Sequence, residues 1–394
     1  MYRLAILTSH PIQYQAPLFK KLAERPEIDL TVYFCWDFGA GKKSLDAEFG
    51  KKIKWDIPLL EGYEYKFLKN FSLKPSSEFF GQINFGIIKE LRQNNYDAIL
   101  VFGWNSFTNW LVFLTAFWRK TPIFLRGENP LNQEFLKSGW KIRLKKIILG
   151  WLFRRVSAFL YIGEENKKFY EYYGAPKEKL FFVPYAVDND RFMAAAKELR
   201  IRNQELRKRL NIEREAVVIL FVGKLIEKKR PMDLLRAYHQ TTIHNSKSII
   251  YLLFVGDGVL RGELEKYVQE HNLKNIIFTG FKNQTELPQY YATADIFVLP
   301  SGKGETWGLA VNEAMCFSLS VIISDVVGCG KDLVKSGENG YIFPSGDIEK
   351  LAECLKELAS DSKKRKLFGK KSFGIIQNYS YNEDIEGILK ALKQ

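Results

Sequence analysis

Cysteine is scarce in this chain of 394 residues. There are four, Cys35, Cys316, Cys329 and Cys354, and no two have the spacing of a metal-ligand pair. That excludes a disulfide framework and a cysteine-built metal centre, and it fits a reducing, cytoplasmic setting. Long apolar runs are missing too. The longest, 110–118, is about half a membrane span and is followed by Arg119 and Lys120, so it does not read as a spanning helix. The opening 1–9 is too short in its apolar run for a signal peptide and reads as a first strand. No G-x-G-x-x-G follows that strand, which excludes the usual dinucleotide cradle. There is no internal repeat, no low-complexity tract and no nucleic-acid recognition motif.

What is present is an ordinary globular composition, 46% hydrophobic and 26% charged, on a chain long enough for two domains. The formal charge of +14 is either a solvated basic surface or an attraction to something anionic. The anion classes are a phosphorylated ligand, acidic lipid or nucleic acid. Aromatics lie mainly in strand and helix patterns, which argues against nucleic acid.

Short β-rich runs alternate with amphipathic segments. Strands are predicted at 4–8, 30–35, 98–102, 122–125, 158–162 and 181–183, then at 217–222, 250–255, 276–279, 296–299 and 321–324. This is the pattern of two doubly wound parallel sheets, α/β in class, with ligands expected at strand carboxyl ends in a cleft between the domains. The break falls at about 184–214, where K-E-L-R-I-R-N-Q-E-L-R-K-R-L reads as a short exposed helix. A final amphipathic helix is predicted at 381–392.

Residues 300–313, P-S-G-K-G-E-T-W-G-L-A-V-N-E, carry the strongest chemical signal. A strand empties into a Gly-rich loop and then a helix, predicted to begin near Thr306. Helix starts present unpaired N–H groups to phosphates. Glu305 and Glu313, eight residues apart, would stand roughly 12 Å apart along a helix, the reach of a nucleotide-sugar from hexose to ribose. The plainer reading is a cap-region acid and a surface acid.

Other strand ends add to this. After 217–222 comes G-K-L-I-E-K-K-R, where Gly223 opens a loop on which Lys224 and Lys229 could converge on a diphosphate, with Lys228 and Arg230 as understudies. Gly256 opens a turn that permits close backbone approach, and Phe281 offers a platform for a base edge; strand-turn geometry and core packing explain them equally well. In the first half, His10 and Gln13 lie in the loop after the first strand, and Trp104 ends the third. Arg126 and Glu128 leave the fourth, as ligand contacts or as a buried ion pair. Asp188-Asn189-Asp190 has a metal-binding form but lies in the break, so no metal site is assigned. Segment 137–155 holds seven Lys/Arg and no acid, with an apolar stripe including Trp140 and Trp151. It reads as a core-facing helix with solvated lysines, or as a helix lying on an anionic membrane.

Taken together, F-V-G-K-L-I-E-K-K-R-P-M-D-L-L-R-A, Y-Y-A-T-A-D-I-F-V-L-P-S with its Glu305-x7-Glu313, and N-G-Y-I-F-P-S-G-D resemble retaining glycosyltransferases of family 4, in the glycosyl transferases group 1. The resemblance is strong over 216–345. In the first half, S-H-P-I-Q-Y-Q-A-P-L-F and V-P-Y-A-V-D also resemble family segments. It implies the GT-B fold, two Rossmann-like doubly wound domains facing a central cleft: an acceptor domain 1–187, a linker 188–213, a donor domain 214–378 and a closing helix 379–394 crossing back. It implies that Glu305 and the backbone of Thr306, Trp307, Gly308 and Leu309 meet sugar and phosphate. Glu313 would bind ribose, Phe281 the base, and Lys224 and Lys229 the diphosphate in place of a metal. Retention by front-side attack needs no enzymic nucleophile and no cofactor beyond the nucleotide-diphosphate sugar.

Three positions depart from the family pattern. Many members have a histidine where this chain reads L-R-G-E, leaving Arg126 or Glu128 in its place; Ser318 and Ser320 replace a usual Gly and Pro; and the first-strand loop lacks the glycines of many relatives. The expectation is metal-independent hexosyl transfer to a cell-envelope saccharide or lipid-linked glycan, on the cytoplasmic side, peripheral to the membrane. The alternative is a non-catalytic anion- or membrane-binding module on a degenerate scaffold.

Overall fold

The computed structural model of the chain describes residues 1–40, 44–46, 51–136, 138–243 and 249–394. Strands and helices alternate throughout. The first half carries β1 (Tyr2–Thr8), β2 (Ile28–Phe34), a small ribbon of β3 (Ser44–Asp46) and β4 (Lys51–Ile53), β5 (Glu64–Phe67), β6 (Ala98–Phe102), β7 (Ile123–Arg126), β8 (Ala158–Tyr161) and β9 (Leu180–Phe182). The second carries β10 (Val217–Val222), β11 (Ile250–Val255), β12 (Ile276–Phe278), β13 (Ile296–Leu299), β14 (Ser320–Ser324) and β15 (Gly340–Phe343). The chain divides into two compact units, one of Met1–Ser44, Ile53–Tyr185 and Tyr381–Gln394, the other centred on Ala186–Ser380.

The first unit is built on a seven-stranded sheet in the order β5-β2-β1-β6-β7-β8-β9, the second on a six-stranded sheet in the order β12-β11-β10-β13-β14-β15. Every described pairing in both sheets is parallel, with β1 opposite β2 from Tyr2↔Ile28 and β10 opposite β11 from Val217↔Ile250. The central strands explain why. β10 reads V-V-I-L-F-V and every residue is buried. Helices must cover both faces of such a strand, and crossover helices do so only in a parallel arrangement. The core of the first unit gathers Val101, Phe113, Phe153 and Phe159; that of the second gathers Phe221, Leu252, Val298 and Leu355. Parallel pairing brings all strand carboxyl ends of a sheet to one edge. In the second sheet the order reverses at β10, between β11 and β13, the place where open α/β sheets usually take a ligand.

The sequence pattern misses two sheet strands. β5 is an edge strand, E-Y-K-F, with all four residues exposed, so it has no apolar signature. β15 starts at Gly340, where a Cβ would fall 2.0 Å from the Val321 carbonyl oxygen. The stretch 197–210 is helical and largely exposed, as its composition suggests, with two buried anchor residues. It forms the end of helix Asn189–Ile201 and helix Asn203–Arg209, in which Leu206 and Arg207 are buried. The Arg207 guanidinium donates to the Thr293 and Ala216 carbonyls and pairs with Asp295 at 2.9 Å, fixing the helix to the second unit.

Helix Tyr381–Leu392 packs in the first unit. Gly387 lets it approach β9, since a Cβ there would lie 2.1 Å from the Phe182 carbonyl oxygen. Lys137, part of the predicted basic helix, lies outside the described residues; that helix runs Gly139–Phe153.

Candidate functional site

In the second unit, the loops after β10 and β13 meet at the sheet's carboxyl edge. The Gly302 N–H donates to the Lys228 carbonyl at 2.7 Å, tying them together. Glu305 is buried within this junction. Its carboxylate pairs with the Lys229 ammonium and accepts from the Ser301 hydroxyl at 3.0 Å. Ser301 is itself held, its carbonyl accepting from the Ser324 hydroxyl at the end of β14. A buried carboxylate with an ammonium and a hydroxyl on it is fixed in position, and removing one partner of such a pair typically costs about 3–5 kcal/mol.

The helix does not begin at Thr306. It runs Leu309–Cys316, and its N-cap Gly308 is left-handed with φ 101°. Glu305 therefore stands in the loop four residues before the helix, and the rise along a helix does not set its separation from Glu313. Gly308 is required there: its φ is unfavourable for other residues, and a Cβ would meet Leu299 Cδ2 at 2.8 Å. Trp307 points into the core, buried, its indole N–H donating to Asn312 Oδ1 at 2.9 Å. Thr306 and Leu309 are half-buried at the loop's end.

Glu313 lies within the helix. The Tyr291 hydroxyl donates to its Oε2 at 2.6 Å. Burial pushes its carboxyl up to about 7, with the Tyr291 bond and the Arg191 charge pulling back. Arg191 is positioned by bonds to the Gln284 carbonyl at 2.8 Å and side chain at 2.7 Å. Ser301, Tyr291 and Arg191 had no sequence signal as site residues. Each supports a carboxylate or its surroundings from a distant part of the chain.

On the β10 loop, Lys229 runs past Gly223 to reach Glu305. Lys224 is half-buried and Lys228 exposed. Arg230 adopts a left-handed conformation, φ 50°, pairs with Asp233 at 2.5 Å and packs beside Gly302. Gly256 answers to packing between two loops: a Cβ would fall 1.9 Å from the Gly223 carbonyl oxygen. Phe281 is half-buried after Gly280 at the end of β12.

In the first unit, Arg126 is a correction. Its guanidinium is buried, pairs with Asp384 Oδ1 at 3.1 Å and donates to the Pro184 carbonyl at 2.9 Å. It clamps helix Tyr381–Leu392 and is not presented to a ligand. Burial raises the Asp384 carboxyl to about 7 against the pull of Arg126. Glu128 is half-buried one turn of chain further on, accepting from the Tyr185 hydroxyl at 2.7 Å. His10 sits against Trp36 and Phe38, with ring centroids 5.8 and 5.2 Å away, and its Nδ1 is 2.9 Å from the Ser9 hydroxyl. Burial lowers it to about 4, which favours the neutral imidazole at neutral pH. Gln13 is half-buried in the loop before helix Ala16–Ala23. Trp104 stacks on Phe169 at 5.6 Å and belongs to the packing of that unit.

Asp188 caps helix Asn189–Ile201, accepting from the Arg191 N–H at 3.2 Å, and Asn189 bonds the Ile376 and Tyr379 carbonyls. These bonds give Asp188 and Asn189 structural roles at the helix start.

Two doubly wound parallel-sheet units, one with a buried acid and a lysine at the switch point, define a GT-B type α/β protein. Residues 202–373 match the model of the family described as glycosyl transferases group 1. The chain is 33% identical over 187 residues to the sulfoquinovosyl transferase SQD2 of Arabidopsis thaliana, 46% of this chain and 34% of the relative. It is 29% identical over 186 residues to the UDP-Gal:alpha-D-GlcNAc-diphosphoundecaprenol alpha-1,3-galactosyltransferase of Escherichia coli, 46% of each chain. These matches span from a third to about half the length of those relatives. Anabaena HepE in complex with UDP and glucose has the same fold, with TM-score 0.72, 17% identity and 100% of both chains covered. So has a glycosyltransferase of Rickettsia africae, with TM-score 0.75, 15% identity and 100% and 98% covered.

Proposed function

We propose that the protein is a retaining glycosyltransferase that moves a hexose from a nucleotide-diphosphate sugar to a saccharide or lipid-linked acceptor without a metal. The observation that carries this is Glu305, buried at the switch-point loop and held by Lys229 and Ser301. In this reading Glu305 takes sugar hydroxyls, Glu313 takes the ribose, and Lys224 and Lys229 stabilise the charge that builds on the diphosphate. The acceptor oxygen bonds to the anomeric carbon on the face the diphosphate leaves. A donor phosphate oxygen takes the acceptor proton as the sugar–phosphate bond breaks, and configuration is retained. Anabaena HepE binds UDP and glucose, and the Escherichia coli relative acts on a diphosphoundecaprenol-linked sugar; both support a nucleotide-sugar donor and a lipid-linked acceptor here.

We place the protein peripherally on the inner face of the membrane. Helix Gly139–Phe153 supports this: Trp140, Leu144, Ile147 and Ile148 are exposed beside Lys141, Arg143 and Lys146. No helix among the described residues is long and apolar enough to cross a membrane.

The test is a hydrolysis and transfer screen over UDP-, GDP- and ADP-sugars, with and without EDTA. Turnover insensitive to EDTA, and a fall in kcat of about 10²-fold or more in Glu305→Gln, are expected. Full activity in Glu305→Gln would assign the loop a non-catalytic role, and strict metal dependence would contradict the lysine scheme.

A further inference from the structure

The loop 69–85 of the first unit inverts the usual arrangement of polar and apolar groups. Its underside is polar and buried. Asn84 is fully buried and donates to the Cys35 carbonyl at 2.8 Å and the Leu68 carbonyl at 3.1 Å. Thr108, also fully buried, bonds the Gln82 carbonyl and Asn84 Oδ1 at 2.9 and 2.8 Å. Asn70 accepts from the Ser72 and Ile83 N–H groups and donates to the Gly81 carbonyl. Gly81 is packed so closely that a Cβ would fall 2.3 Å from Ser76 Oγ. Asn70 and Asn84, which would ordinarily face water, are consumed in fixing the loop.

Its outer side displays a cluster of aromatic rings. Phe71, Phe79, Phe80 and Phe85 are 51%, 40%, 66% and 50% exposed. They touch one another and Phe107: Phe71–Phe85 at 5.8 Å, Phe79–Phe80 at 4.9 Å, and Phe79, Phe80 and Phe85 each about 6 Å from Phe107. An aromatic cluster of this kind, displayed outward by an ordered loop, marks an interaction surface.

The surroundings select the partner. Phe107 opens helix Phe107–Arg119, on which Leu114 and Trp118 are exposed, and the Arg92 guanidinium lies 5.1 Å from the Trp118 ring. Trp110 and Phe117 of this helix pack on Trp151 of the basic helix Gly139–Phe153. Helices Gly86–Gln93, Phe107–Arg119 and Gly139–Phe153 carry one acid, Glu90, and it is occupied by Lys66 and Tyr33. They carry Lys89, Arg92, Arg119, Lys141, Arg143, Lys145 and Lys146. On the loop itself Lys69 lies 5.0 Å over the Phe71 ring and Lys74 is exposed; the loop's one acid, Glu78, is exposed too, and the bases outnumber it. A second copy of this face would meet like charge. Hydrocarbon beneath a layer of anions matches both components, phenyl rings and bases.

We propose that loop 69–85 is a membrane wedge: its phenylalanines enter the acyl boundary of an anionic bilayer while the flanking bases hold lipid phosphates. This extends the membrane contact assigned above to helix Gly139–Phe153 and is separable from it.

The test exploits the cysteines, all four of which are buried. Single added thiols, Phe80→Cys and Ile147→Cys, are labelled with an environment-sensitive fluorophore in the full-length protein. Phosphatidylcholine vesicles with and without phosphatidylglycerol are then added. A blue shift at position 80 that needs phosphatidylglycerol and is quenched by shallow spin-labelled lipid is the expected result. Phe79→Ser/Phe80→Ser should weaken vesicle partition by about tenfold or more, with melting temperature and turnover of a water-soluble acceptor unchanged. A response at 147 alone overturns the wedge and leaves the helix contact standing. Silence at both positions overturns both. A shift that grows with protein concentration in the absence of vesicles assigns the loop to self-association and overturns the wedge.

Discussion

At the scale of single residues, Glu313 is the group whose charge the fold tunes most usefully. Its folded carboxyl titrates near 7 instead of 4.5. As pH rises through the ordinary carboxylate range, the unfolded chain ionises first, so stability falls until about pH 7 and then levels off. Glu313→Gln should flatten that slope and stabilise the free protein above neutrality by up to about 3 kcal/mol, measured by chemical denaturation across pH. Ribose hydroxyls favour the ionised acceptor, so nucleotide affinity should climb as pH passes upward through 7. Calorimetric titrations of wild type and variant giving the same flat profile would remove Glu313 from the donor site. Gly256 makes a simpler prediction. Gly256→Ala forces a Cβ against the Gly223 carbonyl, so a loss of about 1–3 kcal/mol and a displaced β10 loop are expected, read as a lower melting temperature and weaker donor binding.

Individual residues also show what a sequence can reveal. Glu305 is legible because a Gly-rich loop after an apolar strand is a local signature. Ser301 and Tyr291 are not, since their roles depend on contacts made only when loop and helix fold back. Arg126 misleads for the same reason. A charge leaving an apolar strand looks functional, and its partner Asp384 lies 258 residues away.

At the scale of elements, burial decides legibility. Strand β10 is apolar throughout and announces itself; β5, exposed at its edge, has nothing to announce. Helix 203–209 is polar because most of it is exposed, while its buried anchor, Arg207, is bonded to carbonyls and carries no apolar signature. The helix Tyr381–Leu392 is held the same way, by Arg126 on Asp384. Arg126→Met alone strands the carboxylate and should cost about 3–5 kcal/mol, while Arg126→Met/Asp384→Leu should recover most of it. Melting curves of the single and double variants decide this; equal losses in both would mean the pair is incidental to helix docking.

At the scale of the whole molecule, two parallel-sheet units were legible from the repeated strand-helix alternation, because buried parallel strands require it. The distribution of charge is a second global property. The excess of +14 is concentrated in part on the outer helices of the first unit. Binding to anionic vesicles should therefore weaken steeply as salt shortens the screening length from about 10 Å at 0.1 M. Neutralising Lys141, Arg143 and Lys146 should abolish most of that salt dependence in a sedimentation assay. Lys145 is a poor target, because it turns inward to Glu134 at 2.9 Å and over the Phe169 ring at 4.5 Å.

The Arg126–Asp384 clamp also imposes an order of events on the ribosome. The first unit begins the chain, yet the acid that neutralises its buried arginine is translated only after all of Ala186–Ser380. N-terminal domains usually finish folding first during synthesis. Here the later unit can close on itself while the earlier one still holds an unpaired guanidinium. A chain released after Ser380 would carry all of Ala186–Ser380 and a first unit without the acid that neutralises Arg126.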